Sequence, residues 1–360
     1  MKRVFIFRDF KSQKFWSIDV CGSEFTVNYG KLGTEGQTQV KTFTSPEEAE
    51  KAADKLINEK VKKGYVETQE DEAKGMKVEG KKFFLSYEES EKEIVLLDKI
   101  LKDKHLPEYK QIAVGCWGYE CESCESLVEG LIEHKDKIEQ LEGLFWGDID
   151  QEELEVSWIE QTDLSPLLDV LPHLANLKIK GTNNLRLGQC ARPQWKSLEI
   201  ISGGLPSAVV EDIVKSDLPN LEKLILNIGV NEYGFDGTLD TFRPLLSKDK
   251  FPKLTYLGLV NSEEEDKIVE MILQSDILPQ LKVLDISAGV LKDEGAQLLL
   301  DNKEKIAHLE FINMKYNYLS KEMAKKLQQE LPMKLDTGDR QEPDGDDDED
   351  DYWYFPLITE

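Results

Sequence analysis

The sequence contains few of the residues on which catalysis usually depends. Only four histidines occur among 360 residues, and none lies in a recognisable catalytic motif. A hydrolase needs a nucleophile with a general base, or a pair of suitably placed carboxyl groups. A phosphate-binding loop is also missing, because Gly203 and Gly204 lack the following lysine. We therefore predict a non-enzymatic protein with no catalytic residues and no cofactor.

Long apolar runs are absent as well. No segment approaches 18 uncharged apolar residues, so the sequence predicts no membrane-spanning helix and no membrane partner. The opening MKRVFIFRDF has too short an apolar stretch for a signal-peptide core. The five cysteines are an odd number, and three of them are clustered, which argues against a disulfide framework. These features favour a cytoplasmic protein.

Positive charge is scarce and unevenly distributed. The chain has 45 Lys and Arg against 71 Asp and Glu, a formal net charge of −26. Residues 1–66 hold 12 basic and 9 acidic residues, whereas the remainder holds 33 basic and 62 acidic ones. An acidic body repels phosphate backbones. We therefore expect any nucleic-acid contact, weak and salt-sensitive, within residues 1–67, and a protein partner with a basic surface for the rest.

Residues 1–67 have the pattern of a small α+β domain. Short alternating runs of β-branched and aromatic residues predict strands at 2–8, 14–20, 24–31 and 37–43. A helix follows over 45–64, since Ser45 can cap it, Glu48 can complete a capping box and Gly64 can end it.

This first domain resembles the WGR domain. The resemblance is carried by the predicted strands, the Ala-rich helix and four short segments: Tyr29-Gly30-Lys31, Gly33-Thr34-Glu35-Gly36-Gln37, Phe43 and Lys63-Gly64-Tyr65. In poly(ADP-ribose) polymerases this domain helps to hold DNA ends, and it also occurs in bacterial proteins named as molybdate-metabolism regulators. The name-giving triplet is altered here, with Tyr29 in place of Trp and Lys31 in place of Arg.

The resemblance implies a nucleic-acid contact through four residues, Tyr29, Gly30, Lys31 and Lys41. Tyrosine can stack on a base or sugar. Lysine keeps the positive charge of arginine but lacks the planar guanidinium group that binds phosphate through two hydrogen bonds. The alternative is that Tyr29 is a cross-strand packing residue and Lys31 a solvated turn lysine.

Beyond a charged linker at 68–80, residues 81–335 contain an internal repeat. The pattern apolar-x-x-Leu-x-apolar recurs, with its fourth residue at 112, 144, 177, 198, 224, 257, 284 and 312. One unit cannot bury its apolar side chains alone, so stacked units form a parallel sheet with helices outside. We predict a curved α/β leucine-rich-repeat solenoid in this region.

Longer segments resemble a bacterial leucine-rich-repeat family of undefined function. They include 147–168, 202–224, 233–239, 257–268 and 284–300, and Asp293–Ala296 resembles a helix start of the ribonuclease-inhibitor type. This resemblance implies a fold and no activity.

An acidic segment with one tryptophan follows the repeat at 141–146. Its candidate protein-contacting residues are Asp148, Asp150, Glu152, Glu155, Trp158 and Asp163. Loops on rigid scaffolds are frequent binding sites, so this segment is a candidate docking patch for a basic partner. The alternative is a Trp158 buried under a long insertion with solvated acids around it.

Two further features allow other interpretations. Cys116, Cys121, Cys124 and His134 could hold zinc, although only Cys121 and Cys124 have the usual paired spacing. The tail at 336–360 has ten acidic residues up to 351 and then Tyr352–Phe355. We expect this aromatic end to pack on the last repeat and to seal its apolar core.

Taken together, these patterns favour a protein-interaction scaffold or regulatory adaptor whose repeat face binds a protein. The alternatives are a nucleic-acid-binding regulator that acts through residues 1–67 and a zinc-binding protein that uses the cysteine cluster.

Overall fold

The computed structural model describes residues 2–8, 13–31, 36–68, 80–91, 95–118, 123–345 and 352–359. The chain divides into two compact units, residues 1–82 with 108–113 and residues 83–107 with 114–360. Within the described ranges, no helix combines the length and the apolar character needed to cross a bilayer.

The first unit contains a five-stranded antiparallel sheet with the order β4-β3-β2-β1-β5. Its strands are β1 (Lys2–Arg8), β2 (Gln13–Cys21), β3 (Glu24–Lys31), β4 (Gln37–Thr42) and β5 (Val66–Thr68). The four predicted strands are present. The fifth has only three residues and pairs with β1, so its sequence was too short to predict it.

Helix α1 (Pro46–Lys62) packs on this sheet. Ala53 and Ile57 lie four residues apart on its buried face and join an apolar cluster with Phe5, Trp16 and Phe25. Ser45 caps the helix as predicted, because its side chain accepts the Glu48 N–H. The Glu48 carboxylate, however, bonds Thr44 instead of the Ser45 N–H.

The repeat region contributes a ten-stranded sheet in which the strands follow one another in chain order. The strands are β6 (Gly80–Phe83), β7 (Gln111–Val114), β8 (Gly143–Trp146), β9 (Asn176–Lys180), β10 (Ser197–Ile201), β11 (Lys223–Gly229), β12 (Tyr256–Ser262), β13 (Val283–Asp285), β14 (Phe311–Asn313) and β15 (Lys334–Asp336). The registers from β8 to β15 are all parallel. The architecture is that of the predicted α/β solenoid.

The repeat pattern gives one continuous ladder of buried side chains across this sheet. The fourth residues of successive repeats are direct cross-strand neighbours, namely Leu144, Leu177, Leu198, Leu224, Leu257, Leu284 and Ile312. Each is at most 2% exposed. Stacking of neighbouring repeats therefore removes from water the apolar surface that no single repeat could cover.

Helices and 3-10 turns connect the strands. The α-helices of this region are Tyr87–Glu91, Leu96–Leu101, Glu125–Glu133, Ser165–Asp169, Ser207–Lys215, Glu265–Leu273, Asp293–Asp301, Lys303–Ile306 and Lys321–Glu330. The last helix is capped by Ser320, whose side chain accepts the Met323 N–H. Helix 293–301 begins with Asp293–Ala296, the segment predicted as a ribonuclease-inhibitor-type helix start.

The end of the chain forms a strap, residues 352–359, that crosses successive repeats in reverse order. Trp353 pairs with Asp344, and the Tyr318 hydroxyl both donates to and accepts from the Phe355 backbone. Further on, the N–H of Leu357 donates to Ala288 O, and the Ser157 hydroxyl donates to Thr359 O.

Asn261 is the central anchor of the strap. Its side-chain amide donates to Ile358 O at 2.6 Å and accepts from Ile358 N at 2.8 Å. The residue is fully buried and has a φ of +59°, which asparagine tolerates better than most residues. The prediction that the aromatic end seals the core was wrong, since Tyr352, Trp353 and Phe355 are exposed. Backbone hydrogen bonds attach the strap instead.

Three predicted boundaries lie near elements of the structure. Strand β5 ends at Thr68 and β6 begins at Gly80, while residues 69–79 of the predicted linker lie outside the described residues. Strand β15 crosses the boundary drawn between 335 and 336. In the tail, the acidic run 346–351 also lies outside the described residues.

The Asn261 anchor predicts that Asn261→Gly destabilises the protein by about 1–2 kcal/mol, because two hydrogen bonds to the strap are lost. Glycine accepts a positive φ without strain, so the change removes only the amide. The matched control is Asn184→Gly, at φ +60° on the surface with a side-chain bond to Glu160. Thermal unfolding should show a larger decrease in Tm for Asn261→Gly, and equal decreases would contradict the anchor.

A buried carboxyl group in the second unit leads to a second prediction. Glu265 is 0% exposed, and its Oε2 accepts the Ser262 N–H. Burial, with smaller contributions from Asp285 and Asp266, raises the pKa of Glu265 well above its ordinary value of 4.5. The folded protein therefore holds a proton that the unfolded chain releases above pH 4.5. Between these two pKa values, the contribution of Glu265 to stability falls as pH rises.

Glu265→Gln should remove this pH dependence. Relative to the variant, the wild-type protein should lose unfolding free energy as the pH rises above the ordinary pKa of a glutamate. Urea unfolding of both proteins at several pH values between 5 and 7 measures the difference. Parallel curves for the two proteins would show that Glu265 does not titrate in this way.

Candidate functional site

The first unit has an open groove where β2 and β3 meet the end of α1. We call it the Tyr29 groove. It is lined by Lys14, Phe15, Tyr29, Gly30, Lys31, Gly36, Gln37, Lys60 and Tyr65. Three of the four predicted nucleic-acid-binding residues, Tyr29, Gly30 and Lys31, lie together here. Gly36 fits closely, since a Cβ at that position would come within 2.5 Å of the Phe15 ring.

Lysines from three elements bring positive charge to the Tyr29 groove. Lys14 on β2 and Lys31 on β3 are direct cross-strand partners, an arrangement that like charges make unfavourable. Lys60 on α1 places its Nζ 4.9 Å from the centre of the Tyr65 ring and 5.6 Å from that of Trp16. Burial, followed by the charges of Lys63 and Lys14, lowers the pKa of Lys60. A negative ligand in the groove would relieve this repulsion.

Tyr29 is both a packing residue and a groove residue. Its ring is half-buried against the apolar cluster of the first unit. Its hydroxyl accepts a hydrogen bond from Gln39 Nε2 at 3.0 Å and donates to Gln37 Oε1 at 3.4 Å. These side-chain amides of the neighbouring strand β4 hold the Tyr29 hydroxyl in place. Tyr29 is therefore a packing residue that also lines the groove, and its contact with nucleic acid stays a prediction.

The predicted residue Lys41 lies outside the Tyr29 groove. It is on β4, with its Nζ 5.3 Å from the centre of the Phe43 ring. It lines a second groove between β4 and α1 with Trp16, Tyr29 and Lys60 among its other residues. Because Tyr29 and Lys60 line both grooves, Lys41 extends the same basic surface.

The comparisons with known proteins identify the domain that carries this groove. The model of the WGR domain family matches residues 1–72. The N-terminal unit carries a WGR domain. Protein YehF of Escherichia coli K12 is 51% identical over 69 residues, which are 19% of this chain and 25% of YehF. Protein YfeS of the same strain is 52% identical over 67 residues, 19% of this chain and 28% of YfeS. The chain thus spans about a quarter of the length of these two relatives.

A full-length similarity comes from a solved structure. A protein of Bacteroides fragilis with a known crystal structure is 64% identical, with a TM-score of 0.95 and complete coverage of both chains. The chain belongs to the same family as that protein. The solenoid that follows the WGR domain is therefore a shared feature of this family.

The register of the β2–β3 hairpin could have indicated Lys14 from the sequence. Gly22 and Ser23 form a two-residue turn, which pairs Cys21 with Glu24 and, further down the hairpin, Lys14 with Lys31. Lys60 gave no such signal, because only the packing of α1 brings it to the groove. Tyr65 belongs to the segment Lys63-Gly64-Tyr65 that carries the WGR resemblance, but it was not predicted as a groove residue.

The structure divides the predicted acidic patch. Asp148 is 2% exposed, so the expectation that it contacts a partner was wrong: the turn after β8 places this carboxyl inside the protein. Asp150, Glu152 and Asp163 are exposed, and Glu155 is half-buried. Trp158 is 65% exposed, which contradicts the alternative of a tryptophan buried under an insertion. A partner-binding role for the five remaining residues stays a prediction.

The cysteine cluster is only partly described. Cys121 lies outside the described residues, and within them no group of three or more His, Cys, Asp or Glu residues could hold a metal ion. Cys116 donates to Gly118 O, and His134 Nδ1 lies 2.9 Å from Gly130 O. The Cys124 thiol points to Gln161, which also accepts the Trp146 indole N–H. Each described member of the set thus has a local polar partner.

The environment of Cys124 predicts an unreactive thiol. Burial raises the pKa of Cys124 to about 12, so almost no thiolate exists near neutral pH. In the native protein, Cys124→Ala should leave the number of thiols that react rapidly with Ellman's reagent unchanged. The control Cys21→Ala removes an exposed thiol and should lower that number by one. If Cys124→Ala instead lowered the number of rapidly reacting thiols by one, the Cys124 thiol would be accessible in the native protein.

Proposed function

We propose that this protein is a non-enzymatic adaptor whose WGR domain contacts nucleic acid through the Tyr29 groove and whose solenoid binds a protein partner. The observation that carries the nucleic-acid part is the convergence of Lys14, Lys31 and Lys60 beside Tyr29. Ammonium groups attract phosphate, and an aromatic ring can stack on a base or sugar. The groove offers both kinds of contact within one concavity.

The charge distribution limits this contact. Residues 1–66 carry a net charge of +3, whereas the rest of the chain is strongly acidic. Affinity for nucleic acid depends on the number of phosphates neutralised, so a groove with a few lysines supports weak, salt-dependent binding. Lys31 also carries a single ammonium group, whereas an arginine at this position would offer two parallel hydrogen bonds to phosphate. The proposal is therefore a positioning contact that acts together with the second module.

A separate observation supports protein recognition by the solenoid. Trp158 is exposed on a short 3-10 helix, Val156–Trp158, and the exposed acids Asp150, Glu152 and Asp163 belong to the same segment. Exposed tryptophan is typical of interface centres, and carboxylates favour a partner with basic residues. This segment is the protein-contacting part of the proposal.

The double variant Lys14→Gln/Lys31→Gln tests the nucleic-acid part. Its affinity for a short DNA duplex with a single-stranded end should fall about tenfold at low salt, and the slope of log K against log salt should decrease by about 2. Its thermal stability should stay the same or rise slightly, because the cross-strand repulsion is relieved. Fluorescence anisotropy over a salt series measures the binding.

The matched control is Lys2→Gln/Lys51→Gln, which makes the same charge change in the WGR domain outside both grooves. It should reduce the affinity much less than the groove variant. Equal losses in the two double variants would mean that net charge, and not the Tyr29 groove, determines binding.

A further inference from the structure

The strap at 352–359 has two different faces. The side chains of Trp353, Phe355 and Leu357 are 62%, 47% and 45% exposed. The intervening Tyr354, Pro356 and Ile358 are buried or half-buried towards the repeats. This alternation is that of an extended chain, in which every second side chain points the same way. Three large apolar side chains are therefore presented to solvent in one line.

The inner face of the strap keeps this line in place. The Tyr354 ring packs edge-on against Tyr318 at 5.0 Å between centres, and Lys292 Nζ lies 3.6 Å from the centre of the same ring. Backbone hydrogen bonds at Phe355, Leu357 and Ile358 fix the segment on both sides of Pro356. The outward side chains are thus held on a rigid support, which lowers the entropy that a partner would have to overcome.

The line continues towards Trp158. The strap ends with the Ser157 hydroxyl 3.4 Å from Thr359 O, so the 65% exposed Trp158 is next in sequence to a residue that contacts the strap. From Trp353 to Thr359 an extended chain covers roughly 20 Å. The segment that carries Trp158 therefore meets the end of the strap that presents Trp353, Phe355 and Leu357.

Acidic side chains accompany this edge. Glu342 and Asp344 are exposed beside Trp353, and Asp150 and Glu152 are exposed in the segment of Trp158. Between them, Glu263 follows the strap anchor Asn261 by two residues. Burial and the nearby charges of Glu232 and Glu264 raise the pKa of Glu263. Carboxylates that already repel one another produce a negative potential along the edge.

We propose that this stripe, defined as Trp158, Trp353, Phe355 and Leu357, is the docking surface for a protein segment with apolar side chains on one face and Lys or Arg on its flanks. The proposal rests on protein recognition by the solenoid and gives that recognition its surface and its partner chemistry. Aromatic anchors supply the centre of such an interface. The acidic surroundings disfavour nucleic acid and anionic membranes and attract a basic segment.

The length of the strap sets the size of the partner segment. A helix of roughly 13 residues covers the roughly 20 Å from Trp353 to Thr359, and its apolar face can follow the line of outward side chains. The probe for the test is a fluorescein-labelled amphipathic helical peptide of about 14 residues, made of Leu and Lys with helical spacing. A peptide of the same composition in scrambled order keeps the charge but has no apolar face.

In fluorescence anisotropy with the full-length protein, the ordered peptide should bind more tightly than the scrambled one. The variant Trp353→Ser/Phe355→Ser/Leu357→Ser should bind the ordered peptide about tenfold more weakly. Trp158→Ser changes no residue of the strap and should also weaken binding, so a loosened strap cannot account for both results. The matched control Tyr87→Ser/Val95→Ser removes other exposed apolar side chains and should have no effect.

Several results would overturn the proposal. Equal binding of ordered and scrambled peptides would indicate charge attraction alone and would count against protein recognition by the solenoid as well. Full binding by the stripe variants, with loss in Asp150→Asn/Glu152→Gln/Asp163→Asn, would place recognition on the acidic segment and leave the broader function intact. A wild-type dimer in sedimentation velocity that the stripe variants convert to monomer would assign the stripe to self-association.

Discussion

Burial of one ladder of apolar side chains determines the larger part of this structure. From Leu144 to Ile312, equivalent residues of successive repeats are cross-strand neighbours, and each is removed from water by the next repeat. A side-chain period of two means that a shift of a strand by one residue would expose its whole apolar set. The ladder therefore fixes the register of the parallel sheet. It also fixes which side chains of the repeat strands point away from the core.

The two proposed binding surfaces differ because the two units satisfy different constraints. In the WGR domain, hairpin register places Lys14 opposite Lys31, and helix packing adds Lys60. In the solenoid, the ends of the repeats present backbone groups and Asn261, and the last residues of the chain use these groups to form a strap. One surface is basic and suited to phosphate. The other is apolar and acidic and suited to a basic protein segment.

The sequence predicted the features that depend on interactions between residues close together in the chain, and it missed those that depend on contacts between distant residues. Strands 2–8 and 24–31, the helix capped by Ser45 and the repeat strands were predicted, since local periodicity and caps carry these signals. Within the candidate site, Tyr29, Gly30 and Lys31 were named because they form a contiguous triplet that resembles the WGR motif. Lys60 was missed, because it reaches the groove only through the packing of α1.

The sequence by itself determined the fold class, since alternation, capping and a repeat of leucines are local properties that predict a small α+β domain and an α/β solenoid. The resemblance of short segments added the WGR family. Only the tertiary structure decided which polar and aromatic side chains are accessible. The turn after β8 buries Asp148, whereas Trp158 is exposed. The sequence of the tail predicted that its aromatic residues are buried. Hydrogen bonds from its backbone to Tyr318, Ala288 and Asn261 instead turn Trp353, Phe355 and Leu357 outward. Exposure depends on contacts between distant repeats, and no local pattern contains that information.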